Sequence, residues 1–175
     1  MNEVIQAMLT RRSVRGYKPD PVPRALLEEV ARAGTYAATG HGCQSPLIVV
    51  ITDKALRDRL SELNRQIGGW KEGFDPFYGA PAALLVLADR KEPTHVYDGS
   101  LVMGNLMLAA HALGLGSCWI NRARETFELE EGKRILADLG IQGDYEGIGY
   151  CALGYVAKEP GPAAPRKADY VRYVP

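Results

Sequence analysis

The chain has 175 residues, 46% of them hydrophobic, and its 21 Lys plus Arg balance 21 Asp plus Glu. This length and apolar fraction describe one globular domain over residues 1–175 and exclude collagen, extended disorder and tandem repeats. No apolar run approaches the ~20 residues that cross a bilayer, and the charge order at the start is not that of a signal peptide, so a cytoplasmic protein away from membranes is expected.

Val4, Ile5, Met8 and Leu9 recur at helical spacing, which predicts a short amphipathic helix ending near Arg11 and Arg12. Pro19, Pro21 and Pro23 interrupt the chain. A second helix is expected over Arg24 to Ala33, with Leu26, Leu27, Val30 and Ala31 on one face and Gly34 as its C-cap. Leu47 to Ile51 is continuous and β-branched, the pattern of a strand buried on both faces. Asp53 is placed to cap a third helix carrying Leu56, Leu60, Leu63 and Ile67. Residues 68–81 mix Gly and Pro with Trp70, Phe74, Phe77 and Tyr78, so this loop either covers a ligand or packs as a small satellite core.

Ala82 to Ala88 predicts a second buried strand. Asp98 is expected to open the most apolar helix, Leu101 to about Leu113, which must be covered nearly all round and suits a homodimer interface through Gly104, Ala109 and Ala110. Ser117 to Ile120 predicts a short strand, Glu130 to Leu139 a helix stopped by Gly140, and Gly147 to Val156 another strand. In the proline-bearing tail, Tyr170 to Val174 alternates like a strand that adds to a neighbouring sheet.

The balanced charge is unevenly distributed. Arg11, Arg12, Arg15 and Lys18 gather near the start, and Arg166, Lys167 and Arg172 near the end. Neither group is broad enough for nucleic acid, whereas a compact anion such as one phosphate suits them. Three guanidiniums and a hydroxyl in Arg11-Arg12-Ser13-Val14-Arg15 either wrap a phosphate or form a solvated basic turn at a helix C-terminus. The polar stretch Ala38 to Ser45 precedes a strand, where ligand contacts are common. No metal site is expected, since His41 lacks partners at ligand spacing and His95, Asp98 and His111 read as surface and helix packing. Cys43, Cys118 and Cys151 are odd in number and widely spaced, so they read as reduced thiols. Gly114-Leu115-Gly116 and Gly147-Ile148-Gly149 do not leave a strand to open a helix, so a dinucleotide fingerprint is absent.

The order of five fragments resembles the FMN-dependent nitroreductase family, most closely its small single-domain members. They are Arg11 to Tyr17; Ala38-Thr39-Gly40 through Gln44-Ser45-Pro46; Gly79-Ala80-Pro81; Asp98 through Ala110 into Gly114 to Ile120; and Ala152-Leu153-Gly154-Tyr155 with Pro165-Arg166-Lys167. The resemblance implies an α+β fold with a mixed, mainly antiparallel sheet flanked by helices, in an intertwined homodimer whose C-terminal arm extends the partner's sheet. It implies FMN as cofactor, with NADH or NADPH as electron donor and a nitroaromatic or quinone-like acceptor, in a ping-pong cycle; the alternatives are other flavin chemistry on the same fold, dehalogenation or dehydrogenation, and a non-catalytic flavin-binding module. Arg11, Arg12 and Ser13 would meet the phosphate and ribityl chain, with Arg166 and Lys167 completing the phosphate site. Arg15 would face the pyrimidine edge as the catalytic cation. Thr39, Gly40 and Gln44 would come from the other subunit, Ile120, Asn121 and Arg122 would lie along the reactive edge, and Gly154 belongs to the last matching fragment. Gly42, Ser45 and Pro46 depart from the asparagine, proline and tryptophan of many relatives, and the short 68–78 segment implies an open pocket.

Overall fold

The computed structural model describes residues 1–175. Four strands, β1 (Pro46–Ile51), β2 (Ala82–Asp89), β3 (Gly116–Ile120) and β4 (Tyr145–Gly154), form one sheet in the order β1-β2-β4-β3. Every neighbouring pair is antiparallel, and the parallel component of the sheet is a single bridge between Ser13 and Ser117. Helices α2 (Arg24–Thr35) and α4 (His95–Ala112) cover one face; α3 (Lys54–Ile67), α5 (Ala123–Glu128) and α6 (Glu130–Asp138) cover the other; α1 (Glu3–Thr10) lies outside, against α4.

The alternation within β2 explains these two layers. Ala83, Leu85 and Leu87 point into the core under α3, α5 and α6, while Ala82, Leu84, Val86 and Ala88 point into the core under α2 and α4. A strand buried on both faces reads as an unbroken apolar run, as expected for β2. The same expectation fails for β1. It pairs only with β2, at the sheet edge, and Val50 is 41% exposed. β-Branched residues report a pleated surface and carry no information about which strands flank it.

Opposite Val86 and Leu87 the register skips one residue of β4, from Gly149 to Gly147, leaving Ile148 as a bulge. Gly147 at this bulge faces the Ala123 backbone, where an added Cβ would collide. Gly147→Ala is therefore expected to lower stability by about 2–3 kcal/mol, since neither α5 nor the bulged strand can yield without repacking. Thermal melting checks it, and an unchanged melting temperature would mean that α5 rides freely over the bulge.

Local signals place several helix ends correctly. Asn2 caps α1 by accepting from Val4 N at 2.9 Å, and Asp53 caps α3 by accepting from Leu56 N at 2.7 Å. Gly34, expected as a C-cap, lies inside α2, where a Cβ would meet Leu106 at 2.7 Å and Ile48 at 2.9 Å. It is a close-packing glycine under α4. The apolar helix α4 begins at His95, so Asp98 sits buried in its first turn. The short α5 carries no periodic signal in the sequence, and β4 runs from Tyr145 to Gly154 rather than from Gly147 to Val156. Residues 157–175 pair with no strand; all of 161–175 is exposed.

The aromatic loop divides between its two expected roles. Phe77 is fully buried against Tyr150, with ring centroids 5.0 Å apart, so it belongs to the main core. Asp75 pins the turn to α3, accepting from Ser61 Oγ at 2.5 Å, Arg57 at 3.0 Å and the Phe77 and Gly79 amides at 2.8 Å. Trp70 and Phe74 remain near the surface, 5.3 Å apart.

Candidate functional site

After α1 the chain leaves its helix at Arg11 and runs along the open end of the sheet. Val14 N donates to Ser117 O and Lys18 N to Tyr155 O, both at 2.9 Å, so this segment passes from the start of β3 to the residue just after β4. Val14 and Tyr17 are buried; the Tyr17 hydroxyl donates to Val14 O at 3.0 Å and contacts Ala152 O at 3.2 Å. With those two side chains facing the core, Arg11, Arg12, Ser13 and Arg15 line a cavity of about 380 Å³ whose far wall is Pro160 to Ala164 and Arg166. Its lining holds four arginines and no carboxylate.

The guanidiniums are not equivalent. Arg12 Nη1 donates to Leu9 O and Arg11 O at 2.8 Å each, closing the end of α1. Arg11 Nη1 is buried with no hydrogen-bond partner. An orphaned buried donor is costly, and a charged one more so, which leaves an anion as the natural occupant of this cavity. Burial pushes the thiol of Cys118, on β3 beneath these residues, up; Arg15, Ser13 and Arg11 pull it only partly back. Burial likewise pushes Cys151 up to about 12. Both thiols are therefore protonated near neutral pH and are poor nucleophiles.

At the other end of β3, four residues and roughly 13 Å beyond Ser117, lie Ile120, Asn121 and Arg122. Asn121 O accepts from Asn64 Nδ2 at 2.6 Å, tying α3 to this turn. Asn64 is fully buried, and its Oδ1 has no partner. It is a second orphan, this time an acceptor, and it was missed in the sequence because an asparagine on the Leu60/Leu63 face of a helix carries no motif. Its one signal is a polar residue beside a buried stripe.

The remaining expected residues separate. Thr39 and Gln44 line a different cavity, of about 330 Å³, between α2 and β1, which shares no residue with the arginine cavity. Their loop is strained, with φ of +52° at His41 and +52° at Gln44. It is held by Asp98, which is 3% exposed and accepts from Gly40 N at 3.0 Å, Ser45 Oγ at 3.1 Å, Thr94 Oγ1 at 3.0 Å and Cys43 Sγ at 3.5 Å. Burial would raise the Asp98 pKa, but these donors, Gly40 N first, outweigh it and hold the carboxyl below its ordinary range. Gly154 is packed against Pro81 and Tyr17, where a Cβ would not fit, so close packing accounts for it. Lys167 lies just outside the arginine cavity, on the exposed tail. His95, expected as packing, contacts Glu146 at 3.3 Å, and His111 contacts Thr10 at 2.9 Å.

The profile of the nitroreductase family matches residues 8–155, from the end of α1 to the end of β4. The chain belongs to the nitroreductase family. A nitroreductase from Bacteroides fragilis solved with bound FMN superimposes with a TM-score of 0.89 at 27% identity, over 99% of this chain and all of that one. A protein of Methanothermobacter thermautotrophicus, provisionally named an NADH dehydrogenase/NAD(P)H nitroreductase, is 29% identical over 91% of this chain and 80% of its own length. An FMN reductase [NAD(P)H] of Bacillus subtilis is 27% identical over 71% of this chain and 56% of its own. The matched span of this nitroreductase-family chain includes every candidate site residue described above except Pro160 to Ala164, Arg166 and Lys167.

Proposed function

We propose that the chain is an FMN-dependent NAD(P)H oxidoreductase acting on nitroaromatic or quinone-like acceptors. The observation that carries this is a cavity lined by four arginines and no acid, with the partnerless Arg11 Nη1 buried in its wall. A phosphate satisfies it. The second orphan, Asn64 Oδ1, is fully buried at the far end of β3, where Asn64 ties α3 to the Asn121 turn, so its role is structural. When bound, FMN supplies the two-electron redox chemistry, and the protein supplies binding, orientation and charge.

In this reading Arg11 and Arg166 hold the phosphate with Lys167 near by, Arg12 fixes the end of α1, and Ser13 meets the ribityl chain. Arg15 is the cation that favours negative charge at the pyrimidine edge. The Ile120 to Arg122 backbone borders the reactive edge. Donor and acceptor use one open face in turn, which makes the kinetics ping-pong.

The site is completed by a second copy of the chain. α1 has no buried residue, and Val4, Ile5, Met8 and Leu9 are 50–58% exposed. On α4, Tyr97 is 72% and Leu101 52% exposed, although the helix is apolar on nearly every side. Exposed apolar side chains on α1 and on a helix that should be buried mark an association surface. Thr39, Gly40 and Gln44 then serve the partner's cofactor, and the exposed arm ending Tyr170 to Val174 pairs with the partner's sheet. Leu101→Glu is expected to shift the protein from dimer to monomer at micromolar concentration with loss of bound flavin; sedimentation velocity reads this, and an undisturbed dimer removes α4 from the interface.

The function is tested by the visible spectrum of purified protein and by anaerobic addition of NADH or NADPH. A yellow protein whose flavin band bleaches on addition is expected. A colourless protein that FMN cannot reconstitute rejects the flavin reading, and a yellow one that does not bleach is a flavin-binding module.

A further inference from the structure

The strongest chemistry not yet assigned lies where β3 meets α5. Arg122 adopts φ +72°, a left-handed conformation that costs a non-glycine residue energy and that persists where surrounding structure enforces it. Arg57, Arg65, Arg90 and Arg124 all pair with carboxylates, but no carboxylate lies within 4 Å of the Arg122 guanidinium. Its Cζ is instead stacked 4.6 Å from the centroid of the Trp70 ring.

That stack is held from several sides. The Trp70 ring rests on Gly68, where any Cβ would strike it. The Trp70 carbonyl accepts from Arg65 Nη1 at 2.6 Å, and Arg65 is itself clamped by Glu62 through two bonds of 2.7 and 2.6 Å. Phe74 and then Tyr78 extend the aromatic surface, at centroid spacings of 5.3 and 6.0 Å. The bond from Asn64 to Asn121 O fixes α3, which carries this loop, against the residue next to Arg122. A guanidinium held over a ring without a hydrogen-bonded acid keeps N–H groups free, and with its rotamers restricted it loses little entropy on binding a second group.

We propose that Arg122 is the specificity residue for the electron acceptor and selects planar aromatic acceptors that carry a carboxylate. The carboxylate takes the free N–H fork and the acceptor's ring lies along the Trp70, Phe74 and Tyr78 surface; Trp70 is the positioning residue that holds the fork. This rests on the reductase reading above and names the substrate class for that site. A single fork beside aromatic rings fits one carboxylate on a ring, whereas the phosphate chemistry of this chain is gathered in the four-arginine cavity.

The test uses FMN-loaded wild type, Arg122→Met, Arg122→Lys and Trp70→Leu. Two readouts are taken: the ratio of kcat/KM for 4-nitrobenzoate over 4-nitrobenzamide, and the calorimetric affinity of the oxidised protein for benzoate over benzamide. Both ratios should fall about 10- to 100-fold in Arg122→Met, corresponding to a charge-assisted hydrogen bond. Arg122→Lys should keep part of each ratio, and Trp70→Leu should lower them less than Arg122→Met does. Ratios are used because they survive any general loss of activity or flavin. Unchanged ratios in Arg122→Met, or a change confined to the KM for NADPH against NADH, overturn the proposal while leaving the reductase reading intact. Arg122-dependent benzoate binding in a protein that does not oxidise NADH or NADPH supports the carboxylate site and removes the reductase reading.

Discussion

Arg11→Met is expected to weaken FMN binding by about 100- to 1,000-fold, the loss of two charge-assisted hydrogen bonds at about 1.5–3 kcal/mol each, discounted for partial replacement by neighbouring arginines. The magnitude follows from geometry rather than from the count of positive residues. Arg11 has a buried nitrogen with nothing to bond, while Arg12 donates to two carbonyl oxygens of its own helix end. Arg12→Ala should therefore weaken retention less and act mainly by loosening the end of α1. The measurement is quenching of flavin fluorescence as apoprotein is titrated, at fixed ionic strength because phosphate contacts are screened by salt. Riboflavin, which has no phosphate, serves as the control, and its affinity should be nearly the same for Arg11→Met and wild type. Equal loss for both ligands would mean that Arg11 supports the fold and not the phosphate.

Asp98→Ala is expected to cost about 3–5 kcal/mol, lowering the melting temperature by roughly 10 °C, because four donors lose their acceptor at once. These donors come from residues 40, 43, 45 and 94, so the substitution frees the strained loop that carries Thr39 and Gln44. Flavin retention in the dimer should fall with it. The pH dependence has a definite sign. The Asp98 pKa is lower in the folded protein than in the unfolded chain, so its contribution is complete above the ordinary aspartate value of about 3.9 and is lost as pH falls through the folded value. The stability gap between wild type and Asp98→Asn should accordingly be constant near neutral pH and close below about pH 4. A gap that widened on acidification would show that the carboxyl is bound as the neutral acid.

The arginine cavity of the candidate site is legible because its chemistry is local in sequence. Arg11, Arg12, Ser13 and Arg15 lie within five residues, and one chain segment alternating between core and cavity presents them together. Arg166 joins them through resemblance alone, since nothing in the composition of the tail shows that it folds back to Arg11 and Arg12. Asn64 and Asp98 were not legible in their roles. Their partners are 57 and 58 residues away, at Asn121 and Gly40, and hydrophobic periodicity says nothing about pairings of that range. Arg122 was placed by its backbone, but its side chain acquires meaning only through Trp70, which the sequence left as one ring in a loop of uncertain role.

The sequence by itself determined the elements whose signals are local: the amphipathic helix α1, the Asp53-capped helix α3, the unbroken apolar run of β2, and the arginine cluster between α1 and the first proline break. Tertiary structure alone decided which strand is central. β1 and β2 are both apolar and β-branched or leucine-rich, but only β2 has a neighbour on each side, and burial on a second edge depends on the neighbour rather than on the strand. It also decided that Gly34 and Gly154 are packing residues, since what a missing Cβ makes room for lies on another element. The same holds for charge: seven cations near the two ends read alike in the sequence, and burial with no available acceptor is what distinguishes Arg11 from the rest.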